Sequence, residues 1–143
     1  MEIKIAIVGS SHLSETEMTD ARKFCGSILN QAILDCAPDM LGGEPILVSG
    51  GAKGVDSIAE DVAKELKIKT IIHKPLTHYF ETGYKPRNMK IAQDCDILYC
   101  LPTALKTTPC YHCKVLDHEV SGACWTMRYA KSLGRKTHLV PLI

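Results

Sequence analysis

Apolar residues along the chain fall into two alternating patterns: short continuous runs, and longer stretches with helical spacing. Ile3, Ile5, Ala6, Ile7 and Val8 form the first run and lead into Gly9-Ser10-Ser11-His12. Pro45-Ile46-Leu47-Val48, Lys69-Thr70-Ile71-Ile72-His73, Asp96-Ile97-Leu98-Tyr99-Cys100-Leu101 and Thr137-His138-Leu139-Val140 are the others. Runs this short and this apolar predict strands buried on both faces, as in a parallel sheet. Between them, Ala21, Phe24, Cys25, Ile28, Leu29, Ala32 and Ile33 line one face of a helix expected from Glu15 to Asp35, ended by Pro38 and Gly42-Gly43. Val55, Ile58, Ala59, Val62, Ala63 and Leu66 mark a second helix. A short one is expected from Arg87, directly after Pro86, and a last one from Ser121-Gly122 to Leu133, closed by Gly134.

Strands alternating with helices over residues 1–143 predict a single α/β domain built on a doubly wound sheet of about five parallel strands. Ligands of such sheets sit at the carboxyl ends of the strands, near the switch point of the topology. The unusual loops all leave those ends: Gly9-Ser10-Ser11, Ser49 to Gly54, the Lys74 to Arg87 segment rich in Pro, Gly and aromatics, and the turn before Ser121-Gly122.

Composition excludes more than it assigns. Hydrophobic content of 45% and charged content of 23% suit an ordinary globular domain. A net charge of +1 with scattered Lys and Arg supplies no basic footprint, so nucleic acid is not expected as a partner. No apolar run approaches a membrane span, and the N-terminus enters a strand pattern without signal-peptide anatomy, so a cytoplasmic protein is expected. Of 7 cysteines, Cys25, Cys36, Cys95 and Cys100 fall in predicted core positions.

The central stretch is Ser49-Gly50-Gly51-Ala52-Lys53-Gly54-Val55-Asp56, between a strand and a helix. Glycines let a ligand approach the backbone, and the first N–H groups and dipole of the helix favour an anion there. The alternative is a βα turn that needs glycine for its dihedrals and binds nothing.

Four motifs occur in order: Gly9-Ser10 after the first strand, the glycine stretch with Asp56, Pro86-Arg87-Asn88-x-x-Ile91 before Ala92-x-Asp94-Cys95-Asp96, and Ser121-Gly122. In this order they resemble the SLOG superfamily, which unites the Smf/DprA proteins with the Lonely Guy (LOG) phosphoribohydrolases; the likeness is nearest to its small YspA-like members. It spans nearly the whole chain apart from an insertion at about residues 103 to 119. The resemblance implies a Rossmann-like fold that binds a nucleotide or nucleotide-derived ligand, often as a homodimer. By position, Gly50, Gly51 and Gly54 would cradle a phosphate, with Ser49, Ala52, Lys53 and Asp56 around it. Gly9, Ser10 and Ser11 would line the other side, Arg87 and Asn88 would face the anionic or ribosyl part, and Ser121-Gly122 would supply a second helix N-terminus. On the residues alone, Arg87 pairing with Asp94 or Asp96, and Asp56 capping its helix, remain open.

LOG enzymes pair an Arg with a Glu from a P-G-G-x-G-T-x-x-E segment. Here the corresponding Val120-Ser121-Gly122-Ala123-Cys124-Trp125-Thr126-Met127 lacks that Glu, so Glu60, Asp56 or Glu119 would have to replace it beside Arg87. A binding or sensing module is therefore expected, with N-glycosidase and DprA-like DNA processing as the alternatives. Trp125, Tyr79, Phe80 and Tyr84 are candidates either to flank a base or to pack the loop.

Finally, Cys110-x-x-Cys113, His118 and Cys124 offer the donor types that tetrahedral zinc prefers. Four protein ligands would make the zinc structural, ordering the entry to the last helix. His112 is an alternative ligand, and a reduced or redox-active thiol set is the alternative without metal.

Overall fold

The structure, a computed structural model, describes residues 2–36, 43–103 and 122–142. Five parallel strands form one sheet: β1 (Ile3–Gly9), β2 (Pro45–Ser49), β3 (Lys69–Ile72), β4 (Ile97–Leu101) and β5 (Lys136–Leu139), in the order β3-β2-β1-β4-β5. The expected doubly wound α/β architecture is what the chain adopts. It winds outward from β1 to β3, then crosses back to place β4 on the other side of β1. The carboxyl ends of β1 and β4 therefore flank the switch point.

Side-chain alternation in β1 explains why its apolar run is unbroken. Ile5 and Ile7 enter one core with Leu47 and the inner faces of α1 (Glu15–Cys36) and α2 (Val55–Glu65). Ala6 and Val8 enter the other, with Val48, Leu98, Cys100 and residues of α3 (Lys85–Asp94) and α4 (Gly122–Ser132). Each fully buried Val, Leu or Ile on these faces contributes about 1.5–3 kcal/mol. The same division accounts for Cys25, Cys95 and Cys100, and Cys36 is buried as well, with burial pushing the Cys25 thiol up to about 12 and the Cys95 thiol to about 11.

Helix α1 starts on a reciprocal capping box absent from the sequence-based expectation. The Glu17 N–H donates to Ser14 Oγ (3.1 Å), and the Ser14 N–H donates to Glu17 Oε1 (2.9 Å). Its buried stripe is Ala21, Cys25, Leu29, Ala32 and Cys36. Phe24, expected inside, is 38% exposed, because it lies to one side of that stripe.

The Lys74 to Pro86 segment is more ordered than a loop. A π-helical turn over Phe80–Tyr84, in which the Gly83 and Tyr84 N–H groups both donate to the Tyr79 carbonyl, runs directly into α3. Pro86 lies inside the first turn of α3, where its missing N–H is not needed, so the helix begins earlier than the proline suggests. The Cys/His-rich insertion, apart from Thr103, lies outside the described residues. Among the described residues, no helix is long and apolar enough to cross a membrane.

Candidate functional site

The turn after β2 is locked against the turn after β1. Gly54 holds φ at 79°, and a Cβ there would run into the Ser10 carbonyl and the Ser11 backbone. Across that contact the Val55 N–H donates to the Ser10 carbonyl (3.1 Å). The Ser10 hydroxyl, itself buried, accepts the Thr103 N–H (2.9 Å), tying the exits of β1 and β4 together. One of the first N–H groups of α2 is thus occupied by the chain itself.

Loop N–H groups are turned inward in the same way. Asp56, 5% exposed in the first turn of α2, reaches back so that its Oδ2 accepts the Ala52 N–H at 3.4 Å. The Gly51 N–H donates to Ser49 Oγ (3.3 Å), and that hydroxyl donates to Glu60 Oε2 (2.5 Å). Burial pushes the Asp56 carboxyl up to about 7, against the opposing pull of Arg87 and of backbone hydrogen bonds from Ala52 and Gly50, with Glu60 adding to the rise.

Arg87 arrives from α3. Its Nη1 donates to the Gly50 carbonyl (2.8 Å), its Nε donates to Asn88 Oδ1 (2.8 Å), and its guanidinium carbon lies 5.5 Å from the centroid of the Tyr84 ring. Burial lowers the Arg87 pKa from its ordinary value, and the nearby Asp56 opposes that shift. Gly50 permits this approach: a Cβ on it would sit 2.6 Å from Arg87 Nη1 and 3.0 Å from Asp56 Oδ2, so the Arg87 side chain would have to shift. The acidic alternatives for Arg87 are otherwise engaged. Asp94 accepts from Lys4 Nζ and is bonded to His73 Nε2, both at 2.9 Å, and Asp96 accepts the Lys4 N–H. Burial alone would raise Asp94, but the bonds from Lys4 and His73 hold it below the usual carboxylate range.

These groups surround a cavity of about 1050 Å³ at the carboxyl ends of the central strands. Of the residues singled out in the sequence, Gly9, Ser10, Ser11, Gly50, Gly51, Ala52, Lys53, Asp56, Arg87, Asn88 and Gly122 line it. Ser49 is buried behind the loop, Gly54 is the hinge between the two turns, and Ser121 lies outside the described residues. Of the carboxylates considered as replacements for a catalytic Glu, Asp56 lines the cavity. Glu60 holds the Ser49 hydroxyl instead, and Glu119 lies outside the described residues.

Part of the lining is aromatic. Phe80 and Trp125 both line the cavity with their rings edge to face at 5.7 Å, and Tyr129 stacks on Trp125 at 5.5 Å. Tyr79, 77% exposed, does not line the cavity, whereas Tyr84 lines it beside Arg87. The sequence-based selection missed Thr126, which is buried in the cavity wall, and Thr103, which pins Ser10. Neither carries a local signal: one is a helical threonine among apolar neighbours, and the other meets Ser10 only through the pairing of distant strands. Cys124 is buried in the first turn of α4, while Cys110, Cys113 and His118 lie outside the described residues. Among the described residues no three metal-ligating side chains cluster.

No protein-family model and no curated protein matches the chain. Solved structures do. DNA processing protein A (DprA) from Streptococcus pneumoniae superposes with a TM-score of 0.64 at 21% identity, covering 97% of this chain and 50% of that one. DNA processing protein A from Helicobacter pylori, a protein with a single-stranded DNA binding mode, superposes with a TM-score of 0.61 at 17% identity, covering 96% of this chain and 64% of that one. The chain spans half the length of the first structure, and at these identities the likeness is one of architecture: it has the Rossmann-like fold found in the DprA structures.

Proposed function

We propose that the chain binds a nucleotide or another phosphoribosyl-containing ligand in this cavity, as a binding or sensing module, and that it belongs to the superfamily its motifs resemble. One observation carries the proposal. A single cavity at the switch point combines a half-buried guanidinium, a buried carboxyl and an aromatic wall, with exposed Lys53 and His12 also among its lining residues. Charged groups and aromatic rings lining one cavity complement a ligand that carries both charge and a ring.

Trp125 is the only tryptophan in the chain and lines the cavity, so its fluorescence reports occupancy. Titration with nucleoside monophosphates is expected to change its emission. Arg87→Ala should weaken binding by roughly ten- to a hundred-fold, as expected for a lost charge-assisted hydrogen bond. Arg87→Lys, which keeps the charge but not the fork, should fall between. Saturable binding unaffected by either variant would sink the proposal.

Two further readings have their own support. Asp56 and Arg87 in the same cavity would supply the carboxylate and the fixed positive charge an N-glycosidase needs, and release of free base from a monophosphate would establish that activity. Single-stranded nucleic acid, not expected from charge, gains support from the binding mode of the Helicobacter pylori structure. A structural zinc held by Cys110, Cys113, His118 and Cys124 remains a proposal carried by donor type and spacing.

A further inference from the structure

We propose that the floor of the cavity is a receptor for a sugar diol rather than a phosphate cradle, with Asp56 as the residue that selects a ribosyl ligand. The proposal rests on the nucleotide reading above and deepens it. A glycine turn at a helix N-terminus binds phosphate through N–H groups that point outward at the ligand. Here the Ala52 N–H is directed at Asp56, the Gly51 N–H at Ser49, and the Val55 N–H at the Ser10 carbonyl. Three of its N–H groups are thus directed at the chain's own oxygens, and the Asp56 carboxyl lines the cavity beside them. A phosphate there would meet like charge whenever Asp56 is ionised.

A hydroxyl meets no such conflict, since it donates and accepts at once. The Asp56 carboxylate has about four lone-pair sites, so the loop hydrogen bonds leave capacity to accept from hydroxyls. Arg87 is bound through Nη1 to Gly50 and through Nε to Asn88, which leaves other N–H donors of its fork for a hydroxyl oxygen. An acceptor and a donor held side by side by one glycine complement the two hydroxyls of a ribose. An acidic side chain on a ribose hydroxyl is also how dinucleotide folds read ribose. Exposed Lys53 and His12 then remain for the phosphate.

The test compares each common ribonucleoside monophosphate with its dideoxy counterpart and with inorganic phosphate, at about pH 8 so that Asp56 is ionised. Binding is followed by calorimetry and by Trp125 emission. Loss of the diol is expected to weaken binding to the wild-type chain by roughly ten-fold or more. Asp56→Asn, isosteric and checked for an unchanged fold by circular dichroism, should reduce that discrimination to about three-fold or less. Equal affinity for the ribose and dideoxy ligands would overturn the diol receptor and leave nucleotide binding standing. So would an Asp56→Asn chain that binds phosphate and monophosphates more tightly, because phosphate would then occupy the loop against Asp56. No binding of any monophosphate would overturn both readings together.

Discussion

Asp56 shows how much one residue's surroundings add to its identity. In the sequence it is an acidic residue in the first turn of a helix, an ordinary position. In the structure it is buried against the loop it follows, and its carboxyl is raised to about 7. The unfolded chain releases this proton near the usual carboxyl value, whereas the folded chain keeps it up to about 7. Stability from this group is therefore fully present at low pH and falls as pH rises between those values, by about 1.4 kcal/mol per pH unit. Asp56→Asn lacks that loss. In urea unfolding its stability relative to wild type should climb from about pH 4 to pH 7 and level off above. A difference independent of pH would mean that Asp56 is not held protonated by burial. The glycine stretch, by contrast, was legible as a turn from its composition. That the Gly51, Ala52 and Val55 N–H groups face inward was not, because hydrogen-bond direction depends on where Asp56, Ser49 and Ser10 meet.

At the scale of elements, strands and helices were readable almost residue by residue, since each buries a face whose period is local. The exceptions have local physical reasons. Pro86 reads as a stop before α3 but is tolerated in its first turn, and the π-helical turn before it carries no distinct hydrophobic period. Helix α4 begins at Gly122 with Cys124 buried in its first turn. A zinc site that shares Cys124 with Cys110, Cys113 and His118 would order this entry to the cavity wall. Chain purified without chelator is then expected to carry one zinc per molecule, lost together with thermal stability in Cys113→Ser. Retention of the full metal content in that variant would remove the proposal.

For the whole molecule, charge distinguishes the candidate ligands. A net charge of +1 with exposed Lys53 and His12 at the cavity supplies few contacts to a phosphate backbone. With about two phosphates neutralised, the logarithm of affinity for a single-stranded oligonucleotide should fall against the logarithm of salt with a slope of about −1.4. A slope steeper than about −3 would require at least four phosphate contacts and would favour the nucleic-acid reading. A mononucleotide should show a shallow salt dependence and compete with the oligonucleotide if both use the same cavity.

The amino-acid sequence by itself determined the α/β class, the succession of strands and α-helices among the described residues, and the loops that carry the site. Each of these follows from short-range periodicity and from turn residues with restricted dihedrals. Tertiary structure alone decided that Arg87 lies against Gly50 rather than pairing with Asp94, that Asp56 and not Glu60 lines the cavity, and that Phe80 and Trp125 form one wall. Those outcomes depend on contacts between residues far apart in the chain, brought together when the topology reverses beside β1. Electrostatic and burial energies there are set by distance in space, which no local pattern records.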